Sequence, residues 1–99
     1  MTATRAAGIN TLVCSILPTG TAYMRHTVRP GLRARINERL KPICLAHGCV
    51  YVDYASAVSD AKGNLRQDLA PDGIHPNHAG LAIMAKVLEL AVRARGWRL

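Results

Sequence analysis

Two short apolar runs along the chain predict buried β-strands. The first covers residues 9–17, is almost continuously apolar, and lies between Gly8 and Pro18. Because its apolar residues are continuous rather than alternating, this run is typical of a strand buried on both faces of a parallel sheet. The second run, residues 49–54, has the same character and predicts a second short strand.

The segment between these runs has the period of an amphipathic helix. Four apolar residues recur at spacings of four, four and three and therefore form one stripe: Leu32, Ile36, Leu40 and Ile43. We expect Pro30 in the first turn and Gly48 at the end, with a kink or an early end at Pro42. Strand, helix and strand in this order predict a βαβ unit with a right-handed crossover.

The C-terminal third predicts a second amphipathic helix. Asn77 is a favourable N-cap residue, and the helical pattern continues to about Arg95, with Gly96 as its stop. The apolar residues of this helix keep an i, i+3, i+7 rhythm: Leu81, Met84, Leu88 and Ala91. Its charged residues are expected to face outward.

Shorter elements are predicted around these three. Residues 1–8 are typical of a helix end that stops at Gly8, and residues 55–58 of a single helical turn. Residues 59–70 are expected to form a surface loop, with a turn over the Lys-Gly-Asn sequence at residues 62–64. The pattern as a whole predicts an α/β fold with about two parallel strands and a long C-terminal helix.

Composition narrows the class of protein. At 99 residues the chain is one domain at most, and its 49% apolar content excludes a disordered chain. No apolar run approaches the roughly 18 residues that span a membrane. Residues 1–8 carry one basic residue and no apolar stretch, so we expect no secretory signal there, and the compartment stays open.

The formal net charge of +7 raises the question of a nucleic-acid partner. Basic residues concentrate in residues 25–41 and again at Arg93, Arg95 and Arg98. These positions suit solvated helix faces and a helix C-terminus, where the helix dipole favours cations. Because no aromatic residues interleave with them, we do not expect nucleic-acid binding.

The three cysteines, Cys14, Cys44 and Cys49, are expected to be small buried hydrophobic residues. Cys44, His47 and Cys49 also lie close enough in sequence to bind a metal together, but the stretch lacks a convincing fourth ligand. A disulfide between Cys44 and Cys49 stays open as well.

The candidate chemistry lies in residues 71–78, Pro-Asp-Gly-Ile-His-Pro-Asn-His. Asp72 can accept a hydrogen bond from one ring nitrogen of His75 and leave the other free to act as a base. The same spacing fits a turn-capping aspartate beside an exposed histidine. It also fits a metal site formed by Asp72, His75 and His78. The expected position, after a strand and before the last helix, favours a functional site.

Residues 71–80, followed by an amphipathic helix, closely resemble the last conserved block of the SGNH (GDSL-type) hydrolases. Upstream, residues 9–20 are similar to that family's fourth strand and the loop after it. Residues 35–37 and 50–53 are similar to the helix and fifth strand that precede the catalytic block. The resemblance implies a partial flavodoxin-like, three-layer α/β/α fold, in which residues 1–99 form the C-terminal half of a single domain.

The resemblance also implies roles for individual residues. It makes His75 the general base and then the general acid, and Asp72 the residue that orients and stabilises it. Asp53, by its position, is expected to be a structural carboxylate at a strand end. Members of the family hydrolyse carboxylic esters, acetylated sugars, lysophospholipids or acyl thioesters through an acyl-serine intermediate, with no metal or organic cofactor.

The chain departs from the family at the nucleophile. The Gly-Asp-Ser block is absent, as are the Gly and Gly-x-Asn-Asp blocks that supply oxyanion-hole donors. Ser15, Ser56 and Ser59 lie in no such context, and none is in a Gly-x-Ser-x-Gly elbow. We therefore predict that this chain alone has no meaningful esterase activity.

Two strands form an incomplete sheet with at least one edge that needs cover. We therefore expect self-association, a partner that supplies the missing strands, or a looser structure. The alternative to a hydrolase part is a non-catalytic fragment that binds a partner or an anionic ligand through its arginine-rich surface.

Overall fold

The computed structural model describes residues 1–23 and 31–98. These residues form, in chain order, α1 (Thr2–Ala6), β1 (Leu12–Cys14), α2 (Leu32–Ala46), β2 (Val50–Val52), α3 (Tyr54–Val58) and α4 (His78–Ala94). The predicted α/β class, with two parallel strands and a long C-terminal helix, is confirmed. The short helices α1 and α3 also lie where they are predicted. The expected helix start at Pro30 lies outside the described residues.

β1 and β2 form a two-stranded parallel sheet, connected through α2. In this register Leu12 lies opposite Val50. Backbone hydrogen bonds extend the ladder at both ends, from Val50 N to Thr11 O at 3.0 Å and from Ser15 N to Val52 O at 2.9 Å. The predicted strand–helix–strand unit is therefore present.

The prediction that residues 9–17 form a strand buried on both faces is wrong. β1 covers three residues, and β2 alone pairs with it within the described part of the chain. Leu12 is exposed, and so is Cys14, which is expected from the sequence to be buried. An apolar run favours burial, but burial requires a neighbouring strand or helix, and the described residues provide none on the free side of β1.

A side chain of α2 completes the backbone bonding beyond the end of β1. Asn37 Oδ1 accepts a hydrogen bond from Ile16 N at 2.8 Å, and Asn37 Nδ2 donates to Ile16 O at 2.9 Å. The amide group thus offers the donor and acceptor that a neighbouring strand would offer. It also fixes the middle of α2 against the sheet.

The apolar stripe predicted for α2 exists but is not buried. Three of its four residues are exposed: Leu32, Ile36 and Ile43. The buried residue of this helix is Cys44. Asn37 and Cys44 are seven residues apart and share the face that meets the sheet, so the apolar stripe lies to one side of that contact. The helix continues past Pro42 to its end at Ala46.

The prediction that residues 59–70 form a surface loop is wrong, because three of the four members of a buried hydrophobic cluster lie in that segment. Its members are buried to between 0% and 3% exposure: Val58, Leu65, Leu69 and Ala70. Leu17, Ile83 and Met84 pack against it. The turn at residues 62–64 forms as predicted, with Asp60 Oδ1 accepting hydrogen bonds from two backbone N–H groups. Because this turn reverses the chain, the apolar residues after it point inward.

α4 packs against β2 and α3. Its predicted start is confirmed, since Asn77 is the N-cap and its Oδ1 accepts from Gly80 N at 3.0 Å. Its predicted end is also confirmed, since the chain leaves the helix through Gly96 at a positive φ. The apolar rhythm is wrong at its first member, because Leu81 is exposed whereas Met84 packs against the core. None of the described helices is long and apolar enough to cross a membrane.

Two glycines bring the loop after β1 against the turn that carries Asp72 and His75. Gly20 N donates to Gly73 O at 2.7 Å. A Cβ on Gly73 would lie 2.7 Å from Tyr23 N and 3.0 Å from Gly20 O, and Gly73 has a φ of +80°. Position 73 therefore requires glycine both for its backbone conformation and for lack of space.

We expect Gly73→Ala to destabilise the protein more than Gly63→Ala. The two glycines have φ values of +80° and +81°, so alanine adds about 1–2 kcal/mol of backbone strain at each. Nothing lies within 4 Å of a Cβ on Gly63, whereas a Cβ on Gly73 meets backbone atoms. Denaturant unfolding should show an extra loss of about 1–3 kcal/mol for Gly73→Ala. Equal losses would contradict the close backbone contact.

Candidate active site

The turn at residues 70–77 is held at both ends by backbone hydrogen bonds. Gly73 N donates to Ala70 O at 2.9 Å, and Asn77 N donates to Leu69 O at 2.8 Å. Leu69 and Ala70 belong to the hydrophobic cluster. The turn therefore begins and ends on the best-packed part of the molecule, which restricts its movement.

Asn77 links this turn to α4 and to the segment before the turn. Its Nδ2 donates to Asp68 O at 2.9 Å, while its Oδ1 caps the helix at Gly80 N. Gly80 is itself in close contact, since a Cβ there would lie 2.9 Å from Leu69 O. The first turn of α4 is thus fitted against the core, directly after His75.

Asp72 accepts three hydrogen bonds within this turn. Its Oδ1 accepts from Ile74 N at 2.9 Å and from His75 N at 2.8 Å. Its Oδ2 lies 2.5 Å from His75 Nδ1. Because an ionised carboxylate can only accept, we assign the proton of this pair to Nδ1. The sequence-predicted pair is therefore brought together, with Asp72 orienting the ring.

The hydrogen bonds of Asp72 change its acidity. They lower the pKa of the Asp72 carboxyl from 3.8 to about 2. The largest cause is the bond from the backbone N–H of His75, followed by the bond from the His75 ring and the bond from Ile74 N. Asp72 is therefore an anion at neutral pH.

The pair lies open to solvent. The His75 side chain is 82% exposed and that of Asp72 52% exposed. Because both side chains are exposed, their contact adds little to the stability of the fold. Within the described residues, the second ring nitrogen, Nε2, has no hydrogen-bond partner. The geometry leaves Nε2 available to accept or release a proton.

Each serine of the chain is engaged elsewhere. Ser15 is buried, and its Oγ accepts from a backbone N–H of α3 at 2.8 Å. Ser56 Oγ donates to Asp53 Oδ2 at 2.6 Å, and Ser59 Oγ donates to a backbone carbonyl of α3 at 2.5 Å. Asp53 is the N-cap of α3, which agrees with the structural role expected for it. None of these serines is hydrogen-bonded to His75.

The metal hypothesis for Asp72, His75 and His78 gains no support from the geometry. Across residues 1–23 and 31–98, no three side chains of His, Cys, Asp or Glu lie close enough together to hold one metal ion. The structure brings Asp72 and His75 together and leaves His78 apart, exposed at the start of α4.

Cys44, His47 and Cys49 do not come together as a metal-binding group either. Cys44 and Cys49 are buried free thiols, as expected, and no disulfide joins them. Burial, followed by the proximity of Cys49, raises the pKa of the Cys44 thiol. His47 Nδ1 lies 2.9 Å from Ile43 O, to which it can only donate, so this ring is turned toward its own helix.

A family model matches this chain over most of its length. The model of the GDSL-like lipase/acylhydrolase family matches residues 1–83, which include both strands and the Asp72–His75 pair. The chain belongs to this family. The resemblance to the SGNH (GDSL-type) hydrolases is thereby confirmed.

Solved structures with the GDSL-like fold agree with this match. A protein of Bacteroides fragilis NCTC 9343, described as an acylhydrolase, superimposes with a TM-score of 0.78 at 25% identity, over 95% of this chain and 47% of that one. A GDSL-like lipase of Bacteroides thetaiotaomicron VPI-5482 gives a TM-score of 0.77 at 23% identity, with the same coverage. The second likeness concerns the fold alone. No curated protein sequence matches the chain.

The chain spans about half the length of the solved structures it matches. The part that it does span includes the strand–helix–strand unit and the Asp–His turn. Sequence reasoning missed the contact that places this turn, between Gly20 and Gly73. Each glycine follows a proline by two residues in a turn-like stretch, but that signal does not reveal a contact between two distant segments.

We expect the Asp72 carboxyl to titrate at about pH 2 in the folded protein. Because folding lowers the pKa of this carboxyl, its stabilising hydrogen bonds are fully present above pH 3.8. They are lost as the pH falls through about 2. Carbon-13 NMR of the side-chain carboxyl measures this titration directly.

His75→Ala separates the causes of this shift. The substitution removes the ring but keeps the backbone N–H of residue 75, which is the largest cause. The pKa of Asp72 should therefore rise and yet stay below 3.8. A complete return to that value would contradict the leading role of the backbone.

Proposed function

We propose that residues 1–99 are the C-terminal part of a GDSL-like serine ester hydrolase domain, in which His75 is the general base and Asp72 orients it. The observation that carries this proposal is the 2.5 Å contact between Asp72 Oδ2 and His75 Nδ1, on a turn at the carboxyl end of the sheet. Ligands of parallel sheets collect at this end. Membership of a lipase/acylhydrolase family supports an acyl ester as the substrate class.

The proposed reaction moves one proton through His75. Nε2 removes the proton from a serine hydroxyl as that oxygen attacks the ester carbonyl. Ionised Asp72 holds the Nδ1 proton and balances the positive charge that forms on the ring. Nε2 then gives its proton to the leaving alcohol, which departs and leaves an acyl-serine. Water, activated by His75 in the same way, releases the acid and restores the serine.

The attacking serine is proposed to come from outside residues 1–99. The chain contains no Gly-Asp-Ser sequence, and its three serines hydrogen-bond to α3 or to Asp53. A triad without its nucleophile retains only the catalysis that comes from substrate binding and the oxyanion hole. Since the oxyanion-hole blocks are absent too, the chain alone should not hydrolyse esters at a useful rate.

The missing half is proposed to dock on the open face, which we define as the exposed apolar residues of β1 and α2 with their neighbours: Ile9, Leu12, Ile16, Ile36 and Ile43. Leu12 belongs to β1, with Ile9 before it and Ile16 after it, whereas Ile36 and Ile43 belong to the uncovered stripe of α2. The solved structures have more than half of their length beyond the part that this chain matches. A segment of that kind would pair with β1 and cover the apolar side chains.

Complementation tests the catalytic proposal. The chain is mixed with the part of the Bacteroides fragilis acylhydrolase that it does not cover, and hydrolysis of p-nitrophenyl acetate is followed. Activity should appear on mixing, and His75→Ala should lower it by about 10²–10⁴-fold. His78→Ala is the matched control and should keep the activity, because His78 lies in α4 apart from the pair. Turnover by the chain alone that survives His75→Ala would contradict the assignment.

Sedimentation velocity tests the open face. In the absence of a partner we expect the chain to self-associate at micromolar concentration, well above its monomer mass of 10.7 kDa. Ile36→Lys with Ile43→Lys should shift it toward the monomer, because both changes put charge on the open face. Leu90→Lys, at a still more exposed position on α4, should leave the association unchanged. A monomeric wild-type chain with cooperative, well-protected hydrogen exchange would show that two strands suffice.

A further inference from the structure

A cavity lies at the end of the sheet opposite to the Asp–His turn. It has a volume of about 280 Å³ and is lined by the segments that lead into the two strands, residues 9–11 and residues 47–49. Since β1 and β2 are parallel, these segments share the amino end of the sheet. Arg5 of α1, with Arg95 and Trp97 beyond α4, complete the wall.

Two guanidinium groups converge in this cavity. A Cβ on Gly48 would lie 3.7 Å from Arg95 Nη2 and 3.8 Å from both Cζ and Nη1 of Arg5. Arg95 is held by a hydrogen bond from Nη2 to Gly48 O at 2.8 Å, and its Cζ lies 5.3 Å from the centre of the Trp97 ring. The two cations are therefore close to one another at a fixed point of the fold.

The helix that carries Arg5 is anchored to the sheet. The hydroxyl of Thr11, just before β1, donates to the hydroxyl of Thr4 at 2.8 Å. This bond ties α1 to the amino end of the sheet, so Arg5 projects from an anchored helix. Arg5 itself makes no side-chain hydrogen bond and no ion pair within the described residues.

No carboxylate lines the cavity among the described residues. Two nearby cations without an anion between them repel each other, and an oxyanion placed between them would relieve that repulsion. Guanidinium groups bind carboxylates and phosphates through paired, charge-assisted hydrogen bonds. The volume is just below the range of about 300–1,000 Å³ that is typical for drug-sized ligands, which favours a small anion.

We propose that this cavity binds a small oxyanion, of the phosphate or carboxylate type, between Arg5 and Arg95. The site is separate from the Asp72–His75 pair and does not depend on the role proposed for it. The anion would join α1, the His47–Gly48 loop and the end of α4, and so strengthen the amino end of the sheet.

Trp97 provides the measurement, because it is the one tryptophan of the chain and lies in the cavity wall. Its fluorescence is followed during titration with sodium phosphate and, separately, sodium acetate, at ionic strength held constant with sodium chloride. We expect a saturable change with phosphate, acetate or both, with half-saturation at about 1 mM. The anion that binds more tightly shows whether the cavity prefers a phosphate or a carboxylate.

Substitutions assign the response to the cavity. Arg5→Gln should weaken binding about tenfold, since it removes one charge and breaks no hydrogen bond or ion pair among the described residues. Arg39 is an exposed arginine of α2 outside the cavity, so the Arg39→Gln variant should bind the anion like the wild type. Far-UV circular dichroism confirms that both variants are folded. No saturable change with either anion, the same change with chloride alone, or equal effects of the two substitutions would overturn the proposal.

Discussion

The close approach of two backbone segments of the chain, at Gly20 and Gly73, is the constraint on which the candidate site depends. Their 2.7 Å hydrogen bond joins the loop after β1 to the turn before α4, two segments far apart in the sequence. Because the contact is between backbones, it leaves no room for a side chain at position 73. The loop after β1 therefore positions the turn that carries His75, and the core residues Leu69 and Ala70 hold that turn in place.

The orientation of the pair depends on the main chain as well. Two of the three hydrogen bonds to Asp72 come from backbone N–H groups, so the carboxylate keeps its direction even when the His75 ring moves. In open solvent such a pair contributes little to folding. Its geometry is nevertheless ordered within the chain itself, and in the proposed active site this order would lower the entropy that assembly otherwise costs.

Features that depend on neighbouring residues could be predicted from the sequence. The Asp72–His75 spacing, the Asn77 cap and the turn at residues 62–64 each involve groups within four positions of one another. Burial could not be predicted in the same way, because it depends on which surfaces meet. Leu65 is buried in a segment with the composition of a loop, whereas Ile43 is exposed on a helix with a clear apolar stripe. The glycine contact has no local signal at all.

The hydrogen bonds of Asn37 change how much of the free edge of β1 can pair with another strand. Successive residues of a strand direct their N–H and C=O groups to opposite edges. Since Ser15 N bonds to β2, the groups of Leu12, Cys14 and Ile16 point to the free edge. Asn37 already occupies both groups of Ile16, so an incoming strand finds only two residues to pair with. Asn37 thus shortens the free edge of β1, which limits edge-to-edge polymerisation of the chain.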